Sequence, residues 1–299
     1  SYIIGQLNSP IAQMLDFIQS LQDARLSLER ISEIHHKPEE DDMQTEEVTN
    51  IPKADIFFDN VSFSYDKNHD ASTVLQNLNL TIPRNKVTAI VGSSGSGKTT
   101  LLKLLLKFYQ PTEGSINIGN VPLINIRSGN WRNRCGVVMQ EGFIFDDNII
   151  NNIAVGDENP DMDRVRTAVK IANITEFIES LPLGYYTKIG GNGLSPSTGQ
   201  KQRLLIARAV YKNPEVLIFD EATSALDSRN ERIIVENLNT LYKGKTVIII
   251  AHRLSTVKNA DKIVVLEKGK ITETGTHQDL VTEKGFYFHL VKNQLELGV

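Results

Sequence analysis

One cysteine, Cys135, stands in 299 residues, so the chain has no internal disulfide, and a lone thiol of this kind is expected to serve as packing. Nor does any stretch approach the roughly 18–20 consecutive apolar residues that a membrane-crossing helix needs, and no basic-then-apolar leader opens the sequence. The polypeptide is therefore expected to be soluble by itself. Positive charge is not in excess: 32 Lys and Arg face 36 Asp and Glu, a formal net charge of −4. Without a broad cationic field, binding to nucleic acid is not expected. There is no repeat of fixed period, and no low-complexity tract beyond one acidic stretch. The first residue is Ser1 rather than Met, which reads as a piece of a longer protein whose membrane part lies elsewhere.

What is present is enough apolar material, 40% of residues, for a substantial core. From Pro10 to Ile34 the apolar residues Ile11, Leu15, Ile18, Leu21, Leu28 and Ile31 recur at three-to-four spacing, which predicts a long amphipathic helix. Residues 37–50, KPEEDDMQTEEVTN, are acidic and nearly free of apolar side chains, so they read as a linker with a domain boundary near residue 51. Next come IFFDNVSFSY and VLQNLNLTI, separated by the polar DKNHDAS, a pattern that predicts antiparallel strands. KVTAIV, VLIFDEA and TVIIIAH are continuous apolar runs of the type buried on both faces of a parallel sheet. Helical segments between them predict an α/β domain over 51–299, with a helical insertion at about 142–213.

The densest chemical signal is Gly92, Ser93, Ser94, Gly95, Ser96, Gly97, Lys98 and Thr99, followed by Thr100. It fits G-x-x-x-x-G-K-[ST] between a predicted strand and a predicted helix. In such a loop the glycines let successive N–H groups face a triphosphate, the lysine neutralises the outer phosphates, and Thr99 offers a hydroxyl to Mg²⁺. A second element, VLIFDE, delivers Asp220 and Glu221 at the carboxyl end of a buried strand. Two adjacent carboxylates allow a division of labour, Asp220 toward the Mg²⁺ shell and Glu221 toward an attacking water. These elements define a P-loop nucleotidase; a small GTPase and a nucleotide kinase remain open at this point.

Gln140 in VVMQEGFIF, Ser224-Ala225-Leu226-Asp227 and Ala251-His252-Arg253 follow in the order of the ATP-binding-cassette family. The resemblance covers about residues 54–290. It implies a RecA-like P-loop NTPase core with a mainly parallel sheet, an antiparallel β subdomain and an inserted helical subdomain, binding ATP and Mg²⁺. Tyr65 of VSFSY resembles the aromatic that stacks on adenine, Gln140 the glutamine that reaches the metal and senses a transport partner, and His252 the histidine that holds the γ-phosphate. The sequence departs from the usual Leu-Ser-Gly-Gly-Gln signature, reading LSPSTGQKQR from Leu194. Leu194-Ser195 and Ser197 with Gly199 and Gln200 compete for the signature position. Ser197-x-x-Gln200 is a capping box for the following helix, which favours Ser197, while Thr198 stands where glycine is usual.

In this family two cassettes pair head to tail, each nucleotide lying between the glycine loop of one and the signature of the other. The resemblance thus implies a second nucleotide-binding domain, a transmembrane domain in the same or a partner chain, and a place on the cytoplasmic face of the inner membrane. The cargo itself would not touch this domain. Residues 1–36 resemble the tail of the last membrane helix of an exporter, and TGQKQRLLIARAVYKNPE is similar to bacterial peptidase-containing exporters of peptides and bacteriocins. A soluble cassette ATPase and a regulatory cassette with impaired hydrolysis are the alternatives.

Overall fold

The computed structural model describes residues 2–35, 48, 50–66, 73–191, 193–223, 226–251 and 254–296. It divides into two compact units, Ser1–Gln44 and Thr45–Val299. In the first, helix α1 runs from Tyr2 to His35. It starts well before the expected Pro10, which lies inside it and withdraws one N–H from the backbone ladder. Its apolar residues Ile11, Leu15, Ile18, Leu21, Leu28 and Ile31 are exposed. No helix of the described residues is long and apolar enough to cross a membrane. Most of the acidic linker lies outside the described residues.

The second unit opens with strands β1 (Ile56–Phe63), β2 (Leu75–Ile82) and β3 (Val87–Val91), then helix α2 (Lys98–Leu105), β4 (Glu113–Ile118) and β5 (Val121–Pro122). There follow α3 (Ser128–Asn133), β6 (Cys135–Val138), β7 (Asp147–Asn148), α4 (Ile149–Ile153), α5 (Met162–Ile171) and α6 (Thr175–Glu179). After β8 (Lys188–Ile189) come α7 (Thr198–Tyr211), β9 (Val216–Asp220), α8 (Ser228–Leu241) and β10 (Thr246–Ile250). Helix α9 (Leu254–Val257), strands β11 (Lys262–Glu267) and β12 (Lys270–Gly275), and helices α10 (His277–Glu283) and α11 (Phe286–Glu296) complete it.

A six-stranded sheet runs β12-β11-β3-β10-β9-β6. Its β11, β3, β10, β9 and β6 pair in parallel, and β12 adds an antiparallel edge. The apolar runs are continuous because each strand feeds two cores by alternation. Ala89, Val91, Leu217, Phe219, Val247 and Ile249 enter the core shared with the helices around α5 and α7. Ile90, Val216, Ile218, Ile248 and Ile250 enter the other, beneath α2 and an antiparallel sheet of order β2-β1-β4-β5. Such two-sided burial explains the lack of polar alternation.

Helix α2 is anchored at its far end as well. Trp131 Nε1 donates to the Leu105 carbonyl at 2.7 Å, and Arg132 Nε to that of Leu106 at 2.8 Å, satisfying carbonyls that a helix end leaves bare. Residues 142–213 hold α4 to α7, but also the short β7–β8 ladder. Its two-residue strands are too short to leave a periodic signal.

Candidate nucleotide site

Register fixes where the chemistry gathers. Ile250 pairs with Asp220 on one side and with Ile90 on the other, so β3, β9 and β10 end together and hand the chain to Gly92, Glu221 and Ala251. Ligands of open parallel sheets collect at this carboxyl edge.

Two glycines of the loop are sterically required. A Cβ on Gly92 would lie 2.0 Å from the Leu266 carbonyl oxygen, and Gly97, at φ 104°, would meet a Leu75 methyl at 2.6 Å. Ser93, Ser94 and Gly95 are exposed at the tip of the loop. Ser96 is 2% exposed, and its Oγ finds no hydrogen-bond partner among the described residues.

Lys98, 6% exposed, folds back so that Nζ donates to the carbonyls of Gly92 at 3.0 Å and Ser93 at 2.8 Å. Burial holds its pKa below that of an ordinary lysine, although the negative charges of Glu221 and Asp220 pull the other way. Thr99 Oγ1 donates to Asp220 Oδ2 at 3.1 Å, so residues far apart in sequence meet at one point. The Thr100 hydroxyl lies 3.0 Å from that of Tyr65.

Glu221, directly after β9, lies in the left-handed region at φ 51°, a conformation that few non-glycine residues adopt. Its N–H donates to the Ile250 carbonyl at 3.0 Å, and one carboxylate oxygen accepts from Gln140 Nε2 at 3.2 Å. Gln140 and Glu221 are thus in direct contact. His252 lies outside the described residues, as do Ser224 and Ala225. Asp227 caps α8 by accepting from Asn230 N at 2.9 Å.

Tyr65 is half exposed. It packs edge-on against Phe63, centroids 4.9 Å apart, and against Tyr109 at 5.2 Å. Tyr109 was not foreseen, since an isolated tyrosine after a helix carries no distinguishing signal. A cavity of about 940 Å³ adjoins these rings, lined by Tyr65, Tyr109, Asn77 and Gln110 among others.

The capping box is in place at the head of α7. Ser197 Oγ accepts from Gln200 N at 3.3 Å, while Gln200 Oε1 accepts from Ser197 N at 2.8 Å. Leu194, by contrast, sits upstream in an isolated bridge to Ile189. Thr198 is the first helical residue and is not among those with positive φ, so glycine's freedom is not required there. Ser197 and Thr198 are exposed, and Gly199 is half-buried.

These groups fit a nucleoside triphosphate with a hard divalent cation. A glycine loop without room for side chains, a buried ammonium, an unpartnered Ser96 hydroxyl and a Thr99–Asp220 oxygen pair supply what phosphates and Mg²⁺ demand. Among the described residues no cluster of three His, Cys, Asp or Glu could hold a metal ion.

Fold and site define a P-loop ATP-binding domain. Residues 75–224 match the model of the ABC transporter family, and the chain belongs to that family as its ATP-binding ATPase domain. It is 44% identical over 295 residues, 97% of its length, to the leukotoxin translocation ATP-binding protein LktB of Mannheimia haemolytica, with the same identity to that of Bibersteinia trehalosi. The chain spans 41% of the length of these relatives. A solved bacterial Atm1-family ABC exporter with ATP bound matches 84% of the chain, and 44% of its own, at 39% identity and a TM-score of 0.79.

Proposed function

We propose that this chain powers an exporter. Two copies, or this cassette and a partner cassette, close head to tail on MgATP, and hydrolysis reopens them. Each nucleotide then lies between residues 92–100 of one cassette and Ser197, Gly199 and Gln200 of the other. The observation that carries the reading is the contact of Thr99 with Asp220 beside Lys98, together with a second carboxylate, Glu221, held by Gln140.

In this reading the loop N–H groups and Lys98 bind the phosphates, Tyr65 stacks on the base, and Thr99, Gln140 and Asp220 hold Mg²⁺. Bound Mg²⁺ would offset the charge developing on the phosphate oxygens. Glu221 orients the attacking water and accepts its proton, with Gln140 fixing the carboxylate through the bond seen in the structure. His252 holds the γ-phosphate, as the family pattern implies. The exposed N-cap of α7 presents the Ser197 hydroxyl and helix N–H groups to the nucleotide of the partner.

The whole transporter sits with this domain on the cytoplasmic face of the inner membrane, and residues 1–36 continue from its last membrane helix. Exposed Phe143, near Gln140, lines a groove of about 620 Å³ together with Phe108, Val155 and Leu205, a surface suited to the membrane domain. The similarity to leukotoxin translocation proteins supports outward transport, and the likeness to peptide and bacteriocin exporters supports a peptide cargo, which this domain does not touch. MgATP turnover against protein concentration tests the reading. The rate should rise faster than linearly and fall about 100-fold or more in Glu221→Gln. Turnover unchanged by that substitution would overturn it.

A further inference from the structure

A partly buried hydrogen bond joins the helix that starts at Ser197 to the backbone of Glu221. Gln202, 7% exposed on the inner face of α7, donates from Nε2 to the main-chain oxygen of Glu221 at 2.9 Å. The preceding peptide unit, on the other side of the Glu221 Cα, is held as well: Glu221 N–H donates to the last carbonyl of β10. Between these two anchors Glu221 occupies the left-handed region at φ 51°. A glutamate does not settle there by its own preference; surrounding contacts must impose it.

We propose that Gln202 is a positioning residue for hydrolysis: its bond to the Glu221 carbonyl holds the strained turn that aims the Glu221 carboxylate. Gln140 restrains the carboxylate end of Glu221, and Gln202 restrains its backbone. The first lies after β6, the second on α7, so the carboxylate is fixed from two elements outside its own strand. One consequence is a mechanical link. Gln202 lies five residues after the N-cap that faces the partner nucleotide, about one and a half helical turns. A shift of α7 on closure therefore reaches the backbone of Glu221 through one hydrogen bond. Its neighbours Leu204, Leu205 and Ile206 are buried, so α7 moves as a packed body rather than fraying at this point.

The inference rests on Glu221 being the base, and the test separates the two. MgATP binding affinity and kcat at saturating MgATP are measured in the intact protein that carries this chain, for wild type, Glu221→Gln, Gln202→Met and Gln202→Glu. Methionine matches the length of glutamine and donates nothing, while glutamate sets an oxygen against the carbonyl. The expected result is a kcat about 10-fold lower in Gln202→Met and lower again in Gln202→Glu, with MgATP affinity within about 2-fold of wild type and melting temperature kept. Wild-type kcat in both Gln202 variants, beside a silent Glu221→Gln, overturns the positioning role and leaves the base intact. Full turnover in Glu221→Gln overturns the base and this inference with it. If both Gln202 variants lose MgATP binding or the folded state, Gln202 is a packing residue and the proposal fails.

Discussion

Burial works against the Lys98 ammonium, whose pKa is held below that of an ordinary lysine. The charged form is penalised in the fold, so the penalty is absent above the ordinary lysine pKa and fully present below the depressed one. Ligand-free protein should therefore gain stability as pH rises between those two values, and Lys98→Met should remove that part of the slope while leaving the melting temperature at neutral pH equal or higher. The same substitution should abolish MgATP binding by calorimetry; a variant that still bound MgATP normally would put the phosphates elsewhere. Tyr65 offers a separate test. Tyr65→Ala should weaken MgATP binding by about 1–3 kcal/mol, the worth of one stacked base, whereas Tyr65→Phe keeps the ring and loses only the contact with Thr100. Equal losses in the two, measured with a fluorescent nucleotide, would assign the effect to the hydroxyl. Lys98, Thr99 and Asp220 were legible in the sequence because a spaced motif names the residues and their chemistry together. Gln202 was not: a glutamine in the helical run QKQRLLIARAV shows neither its burial nor its bond to a carbonyl nineteen residues onward.

At the scale of elements, α7 couples the helical region to the site. Its capping box satisfies two N–H groups that would otherwise be bare. Ser197→Ala should lower stability by about 1 kcal/mol, or about 2–4 °C in a domain of this size, and Ser197→Thr should restore most of it. Thermal melts of the two variants decide this; an unchanged melting temperature in Ser197→Ala would deny the cap any weight. The central strands were readable because burial on both faces gives unbroken apolar runs, and the glycine loop because sterics around Gly92 and Gly97 admit little else. The ladder β7–β8 escaped reading, since two-residue strands carry no period. So did the start of α1 at Tyr2, because Pro10 reads as a helix boundary although the backbone here continues through it.

For the whole molecule, the glycine loop and both carboxylates occupy the carboxyl edge of one sheet, while the capped start of α7 is exposed. On the proposed function, two cassettes would share two nucleotides in a symmetric and closed pairing. ATP would bridge the two surfaces through its γ-phosphate and ADP would not, so pairing should depend on the nucleotide as a shift of population. The most direct measurement is sedimentation of the Glu221→Gln protein, which should bind MgATP without consuming it. A dimer is expected with MgATP and a monomer with MgADP at the same protein concentration, the dimer being lost when Lys98→Met is added. A monomer under saturating MgATP, or a dimer formed equally with MgADP, would contradict it.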